Sequence, residues 1–151
     1  MSEERPHRGY LTTVINCRCP RCREGKLFPN KLTFRFGRNM KMEESCPVCG
    51  QITDIEVGFY YGTGYVSYVI ALGITIVFFL LWLLTIGFSF TDRRFVYWIT
   101  LNSLLLVGLQ PWLMRFSRVL WLSWFVKYDP DWQNNPPDAP ERTNRDQMNN
   151  W

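Results

Sequence analysis

Five cysteines are the residues in this chain best suited to chemistry, and four of them fall into two pairs of one spacing. Cys19-Pro20-Arg21-Cys22 and Cys46-Pro47-Val48-Cys49-Gly50 are CxxC turns separated by 23 residues. Two residues between thiolates let one tight turn aim both sulfurs at a single ion while backbone N–H groups point at the sulfurs. Two such turns make a tetrahedral four-thiolate site, so Cys19, Cys22, Cys46 and Cys49 are expected to hold one structural Zn2+. A closed site of this kind stabilises folding and carries out no reaction. Disulfides, iron or a redox CxxC remain as competing uses of the same residues. Cys17 is the odd fifth cysteine; it is read as a spare, partly buried thiol, with replacement of Cys19 as a ligand the alternative.

Other catalytic constellations are missing from the sequence. His7 is the only histidine and lies in a polar N-terminal arm. No Ser/His/Asp set, paired carboxylates or Gly-rich phosphate loop is evident. The expectation is a protein that is not an enzyme and has no small-molecule substrate.

Elements must position the cysteines, and the chain is unevenly divided. Residues 57–91 and 95–114 contain no charged side chain. Residues 65–90 would span about 39 Å as a helix, more than the ~30 Å of a bilayer's hydrocarbon core, and residues 95–114 are just long enough to cross once. The polar turn at 89–94 joins them into a transmembrane hairpin. No ionisable group lies inside either run, which argues against a proton or ion path. Asn102, Ser103 and Gln110 are expected to hydrogen bond across the helices, and Pro111 to end or kink the second one. Residues 115–128, with Trp121, Trp124 and Tyr128 among Arg115, Arg118 and Lys127, read as an interfacial helix.

In the head, Leu32, Phe34 and Phe36 alternate with polar residues, as do Thr53, Ile55 and Val57, and both patterns predict strands. The fold class expected is a small zinc-ribbon-like β head followed by a two-helix transmembrane hairpin and an interfacial helix, mainly α by residue count. The divisions are 1–12 flexible arm, 13–57 head, 58–64 Gly/Tyr link, 65–90 and 95–114 membrane helices, 115–128 interfacial helix and 129–151 disordered tail. The lipid bilayer is the first partner expected. Phe59, Tyr60, Tyr61, Tyr65 and Tyr68 form a candidate surface for a second one, another membrane protein or complex. A nucleic-acid stripe through Arg18, Arg21, Arg23, Lys26, Phe34 and Arg35 is a lesser alternative.

Arm and head together, residues 1–56, carry ten Lys/Arg against seven acids. No signal peptide is expected, since residues 1–10 are polar with no apolar core after them. Three basic residues follow the second helix and two sit in the turn, and thiolate zinc persists best in a reducing compartment. Head and tail are therefore expected in the cytosol.

The stretch Cys19-Pro20-Arg21-Cys22-Arg23-Glu24-Gly25-Lys26-Leu27-Phe28, the Cys46-Pro47-Val48-Cys49-Gly50 turn and Gly58-Phe59-Tyr60-Tyr61-Gly62-Thr63-Gly64-Tyr65-Val66-Ser67-Tyr68 together resemble a bacterial domain-of-unknown-function family, number nine-eight-three. The resemblance covers roughly residues 15–125. It implies a multi-pass protein of the bacterial inner membrane. Through gene neighbourhood in some bacteria it also implies an accessory role in assembling cytochrome c oxidase. The function expected is that of a non-enzymatic membrane adaptor or assembly factor with a structural zinc head; a thiol-based metal chaperone or redox membrane protein is the alternative.

Overall fold

The long uncharged runs become the long helices. In a computed structural model that describes residues 8–56, 58–87, 89 and 92–137, the chain is mainly helical. Helix α1 is Tyr10–Ile15 and α2 is Phe36–Met40. A 3-10 turn at Phe59–Gly62 leads into α3, Thr63–Thr85, and α4 is Arg94–Phe125. Both α3 and α4 are long and apolar enough to cross a membrane, and little of their apolar surface is buried within the molecule.

Helices α3 and α4 run antiparallel in contact. Phe79 meets Trp98 edge-to-face at 5.3 Å between ring centroids, and Asn102 Nδ2 donates to Thr75 Oγ1 at 3.5 Å. Of the three polar residues expected to bond across the hairpin, Asn102 does so. Gly87, at φ +77, ends the α3 segment in the left-handed conformation that favours glycine. Arg94 then reaches back to the Ile86 carbonyl at 2.9 Å.

Of the two outcomes expected of Pro111, ending or kinking the second helix, the first does not occur. Pro111 lies inside α4, which continues to Phe125, so the segment from Arg115 onward is an extension of that helix. The extension is held by the head. Gly62 passes so close to the Trp121 ring that a Cβ there would collide with it. Phe59 packs edge-to-face on Phe125 at 5.0 Å. Leu113, Val119 and Leu122 are buried, and the last two share one cluster with Val14, Leu27, Phe28, Phe59, Tyr60 and the four paired cysteines.

The β head is the expectation the structure revises. Among the described residues there is no strand. Pairing in the head shrinks to two isolated antiparallel bridges, Arg18 with Lys26 and Ser45 with Ile52. The alternation at 32–36 does not place a strand because one of its two faces has nothing to bury against: Leu32, Phe34 and Phe36 are all exposed, and Phe36 opens α2. Alternation reports a half-buried strand only when a packing face exists. Of the second pattern, Val57 lies outside the described residues.

Without ladders, the head's carbonyls need other donors, and arginines from α4 supply them. Arg115, which is buried, donates through Nε to Asn39 O at 3.0 Å, NH1 to Asn30 O at 2.9 Å and NH2 to Lys31 O at 3.1 Å. Arg118 donates to Met40 O at 2.9 Å and lies over the Tyr60 ring. Asn39, 0% exposed, donates to Pro111 O at 2.8 Å.

Two terminal segments depart from the expected disorder. Tyr10 to Thr12, assigned to a flexible arm, belong to α1, which lies along α4 through Tyr10 Oη with Ser123 Oγ at 2.9 Å and Trp112 Nε1 donating to Ile15 O at 3.2 Å. Residues 129–137 fold back onto the head, as described below. Residues 1–7 and 138–151 lie outside the described residues.

Candidate metal centre

Each cysteine pair sits in the same local construction. Cys19 N donates to Gly25 O and Cys46 N to Gln51 O, both at 2.8 Å. Arg23 N donates to Cys19 O at 2.8 Å and Gly50 N to Cys46 O at 2.9 Å. The two bridges close just outside these turns. The residue after the second cysteine takes a left-handed conformation in both, Arg23 at φ +60 and Gly50 at φ +69. Glycine adopts that conformation freely. Arg23 is held in it by its bond to Arg8 O at 2.9 Å and by the Tyr128 ring, 3.8 Å from its guanidinium carbon.

The two turns face each other across a near-twofold arrangement. Cys19 Sγ lies 3.7 Å from Cys49 Sγ, and Cys22 Sγ lies 3.7 Å from Cys46 Sγ. All four sulfurs fall within 4.8 Å of one another and all four residues are buried. A disulfide requires about 2.05 Å, so these are thiols. A tetrahedron of sulfurs at about 2.3 Å from a central ion has edges of about 3.8 Å, which the two closest separations match. The donor set therefore fits one tetrahedral metal ion.

Electrostatics point the same way. Four thiolates this close cannot all carry charge without a cation among them. The neighbouring sulfurs dominate the titration of the cluster: Cys19, in the same turn, pulls the Cys22 thiol down, and Cys19 also brings Cys46 down to about 7. Cys19 itself is pushed up, first by Cys22. Backbone N–H groups stabilise negative charge at sulfur, Gly25 N donating to Cys22 Sγ at 3.4 Å and helping to lower its pKa. Gly25 has a second duty, because a Cβ at this position would run into Cys46 Sγ.

Cys17 stands apart from the cluster at φ +52 and is partly buried. Burial pushes its thiol up to about 11, with Arg115 opposing, so it has none of the character of a low-pKa reactive thiol.

Arg21, the second residue between Cys19 and Cys22, is buried and organises the chain beyond α4. Its NH2 donates to Asp129 Oδ2 at 3.2 Å, Asn135 O at 2.9 Å and Pro136 O at 2.9 Å. Asp129 N returns a bond to Arg21 O at 3.2 Å, and Trp132 packs against the core cluster. The Asp129 carboxyl is held below the usual carboxylate range, first by Asn135 and further by Asp131 N–H and Arg21. Composition predicts disorder here because few side chains are apolar; one buried guanidinium gathering several acceptors leaves no mark in composition.

The five residues of the candidate partner surface divide. Phe59 and Tyr60 are buried, and Tyr60 Oη donates to Thr53 O at 2.6 Å. They join the head to α3 and α4 and offer nothing to a second protein. Tyr61, Tyr65 and Tyr68 are exposed. The candidate nucleic-acid stripe also thins: Arg18 donates to Glu24 O at 2.7 Å, Arg21 is buried, and Arg23 lies against Tyr128, which leaves Lys26, Phe34 and Arg35 exposed. No family model, curated protein or solved structure matches this chain.

Proposed function

We propose that this protein is a two-span membrane protein whose head is held together by one structural Zn2+ on Cys19, Cys22, Cys46 and Cys49, and that it acts through contacts, as an adaptor or assembly factor, and not as an enzyme. The observation that carries the reading is the closed, buried four-sulfur cluster. It offers an ion four protein ligands, which completes the coordination of Zn2+ and leaves no position for a substrate. The small zinc-ribbon module inferred from the sequence is retained only in its two cysteine turns. Bacterial inner-membrane location, with head and tail cytosolic, belongs to the same proposal. A respiratory complex such as cytochrome c oxidase is the partner suggested by the family resemblance.

The metal-chaperone and redox readings require an accessible thiolate, and Cys17, with its thiol pushed up to about 11, does not provide one. The partner surface is narrowed to Tyr61, Tyr65 and Tyr68, whose rings project beside the membrane entry of α3. The test is purification from membranes in mild detergent, with metal analysis and identification of co-purifying proteins. One zinc per chain and a membrane complex that is lost in Tyr61→Ala/Tyr65→Ala, with membrane insertion intact, are expected. A metal-loaded protein without any stoichiometric partner overturns the adaptor reading.

A further inference from the structure

The head places a basic, apolar segment where a bilayer would begin. Residues 25–42 contain Lys26, Lys31, Arg35, Arg38 and Lys41 and no acidic residue. All five basic residues are exposed. Interleaved with them, Leu32 is 54% exposed, Phe34 62% and Phe36 53%. Large apolar side chains are here held out by a segment otherwise pinned by buried bonds, and among the described residues none of the three joins the buried core.

Their height along the hairpin is fixed by the α4 clamp. Asn39 is bonded to Pro111 O, while Arg115 holds Asn30, Lys31 and Asn39. The Thr75–Asn102 contact sets the antiparallel register. Counting along both helices from that contact, at 1.5 Å per residue, places Pro111 roughly level with Val66, one turn into α3. The outward apolar face of α3 starts at the same level, with Tyr65, Tyr68 and Val69 exposed. Tyrosines there occupy the position of an interfacial aromatic belt. Leu32, Phe34 and Phe36 thus hang beside the membrane entry, with cations around them.

We infer that residues 31–41 form a lipid-contact surface, laying Leu32, Phe34 and Phe36 into the bilayer interface and taking anionic phospholipid headgroups on Lys31, Arg35, Arg38 and Lys41. This rests on the membrane-spanning reading of α3 and α4. Charge complementarity selects the headgroup: four exposed cations on a segment with no acid of its own favour an anionic surface, and the apolar side chains select the acyl boundary over a dissolved anion. A nucleic acid would satisfy the cations but would leave the apolar side chains beside a bilayer they do not enter.

The experiment uses the full-length, metal-loaded protein in nanodiscs of phosphatidylcholine with a minor fraction of phosphatidylglycerol. A photo-crosslinking benzoylphenylalanine replaces Phe34, or in a separate sample Leu80 on the outward face of α3, and adducts are identified by mass spectrometry. Position 34 is expected to give lipid adducts enriched several-fold in phosphatidylglycerol over its share of the disc. Arg35→Glu/Arg38→Glu should abolish the enrichment with metal content unchanged, which shows that the head is still folded. Lipid adducts at position 80 but none at 34 overturn the lipid-contact surface and leave the spanning helices standing. Adducts at 34 without phosphatidylglycerol enrichment overturn the anionic preference, and adducts to an added single-stranded oligonucleotide in place of lipid overturn the choice of partner. An absence of lipid adducts at position 80 fails the spanning reading itself, and this surface falls with it.

Discussion

At the scale of single residues, the candidate metal centre depends on the sulfurs and on one glycine. Serine at Cys19, Cys22, Cys46 or Cys49 removes a thiolate from a closed site and is expected to release the metal and unfold the head, since metal binding in such modules is worth about 10–16 kcal/mol of apparent folding energy. Cys17→Ser should retain the metal. Gly25→Ala alters no ligand, yet its methyl group would occupy the place of Cys46 Sγ, so metal loss is expected here too. Metal stoichiometry on the purified variants decides all three; full loading of Gly25→Ala would contradict the arrangement of the two turns. The centre should also be acid-labile. Binding requires thiolates, so protons compete with the ion, and affinity must fall as pH falls. Cys46, already held down to about 7 beside Cys19, retains its thiolate longer than an ordinary cysteine whose pKa is 9.0. Loss is therefore expected below neutrality and not above it, as a chelator competition across pH would show.

At the scale of elements, the unusual feature is a helix that runs on through Pro111 and becomes the scaffold of the head. Pro111 removes one N–H from α4, but the turns beyond it are held by buried contacts on the head side, which outweigh a single missing bond. Arg115 is central because its planar fork serves three carbonyls at once. Arg115→Ala should destabilise the head by about 3 kcal/mol, taking a charged-donor hydrogen bond at about 1.5 kcal/mol or more and allowing water to reach part of what is vacated. Arg115→Lys should recover only a part of that, because an ammonium cannot reproduce the fork. Denaturant unfolding of the metal-loaded protein in detergent measures both. Equal stability of the three proteins would show that the clamp adds nothing beyond the apolar contacts.

For the whole molecule, the hairpin puts the head, the start of α3 and the end of α4 at one end and the turn around Ser89 at the other. The proposed orientation places that turn outside the cell. A cysteine introduced as Ser89→Cys, with the native thiols blocked, should react with a membrane-impermeant maleimide in intact cells. Labelling of Asn149→Cys without labelling of Ser89→Cys would invert the topology. The fold also changes which charges bear on this question. Counted in sequence, Arg115, Arg118 and Lys127 are the flanking positive residues of the second span. In the structure Arg115 and Arg118 are occupied with Asn30, Lys31, Asn39 and Met40 carbonyls, while Lys127 is exposed, as are Lys31, Arg35, Arg38 and Lys41 of the head.

The sequence by itself determined the parts of this protein that depend on short spacing and on composition. Two CxxC turns with a fixed internal geometry named the four sulfurs, and long uncharged runs named the two helices. Local physics suffices for both: a turn of two residues has few conformations, and an apolar helix needs no distant partner to satisfy its backbone. Only the tertiary structure decided that Leu32, Phe34 and Phe36 form no strand, that α4 runs on through Pro111, that Phe59 and Tyr60 face inward, and that residues 129–137 close over Arg21. Each of these turns on which groups far apart in the chain pack or hydrogen bond together. A single side chain such as Arg21, Asn39 or Arg115 settles the matter by position in space, about which spacing and composition carry no information.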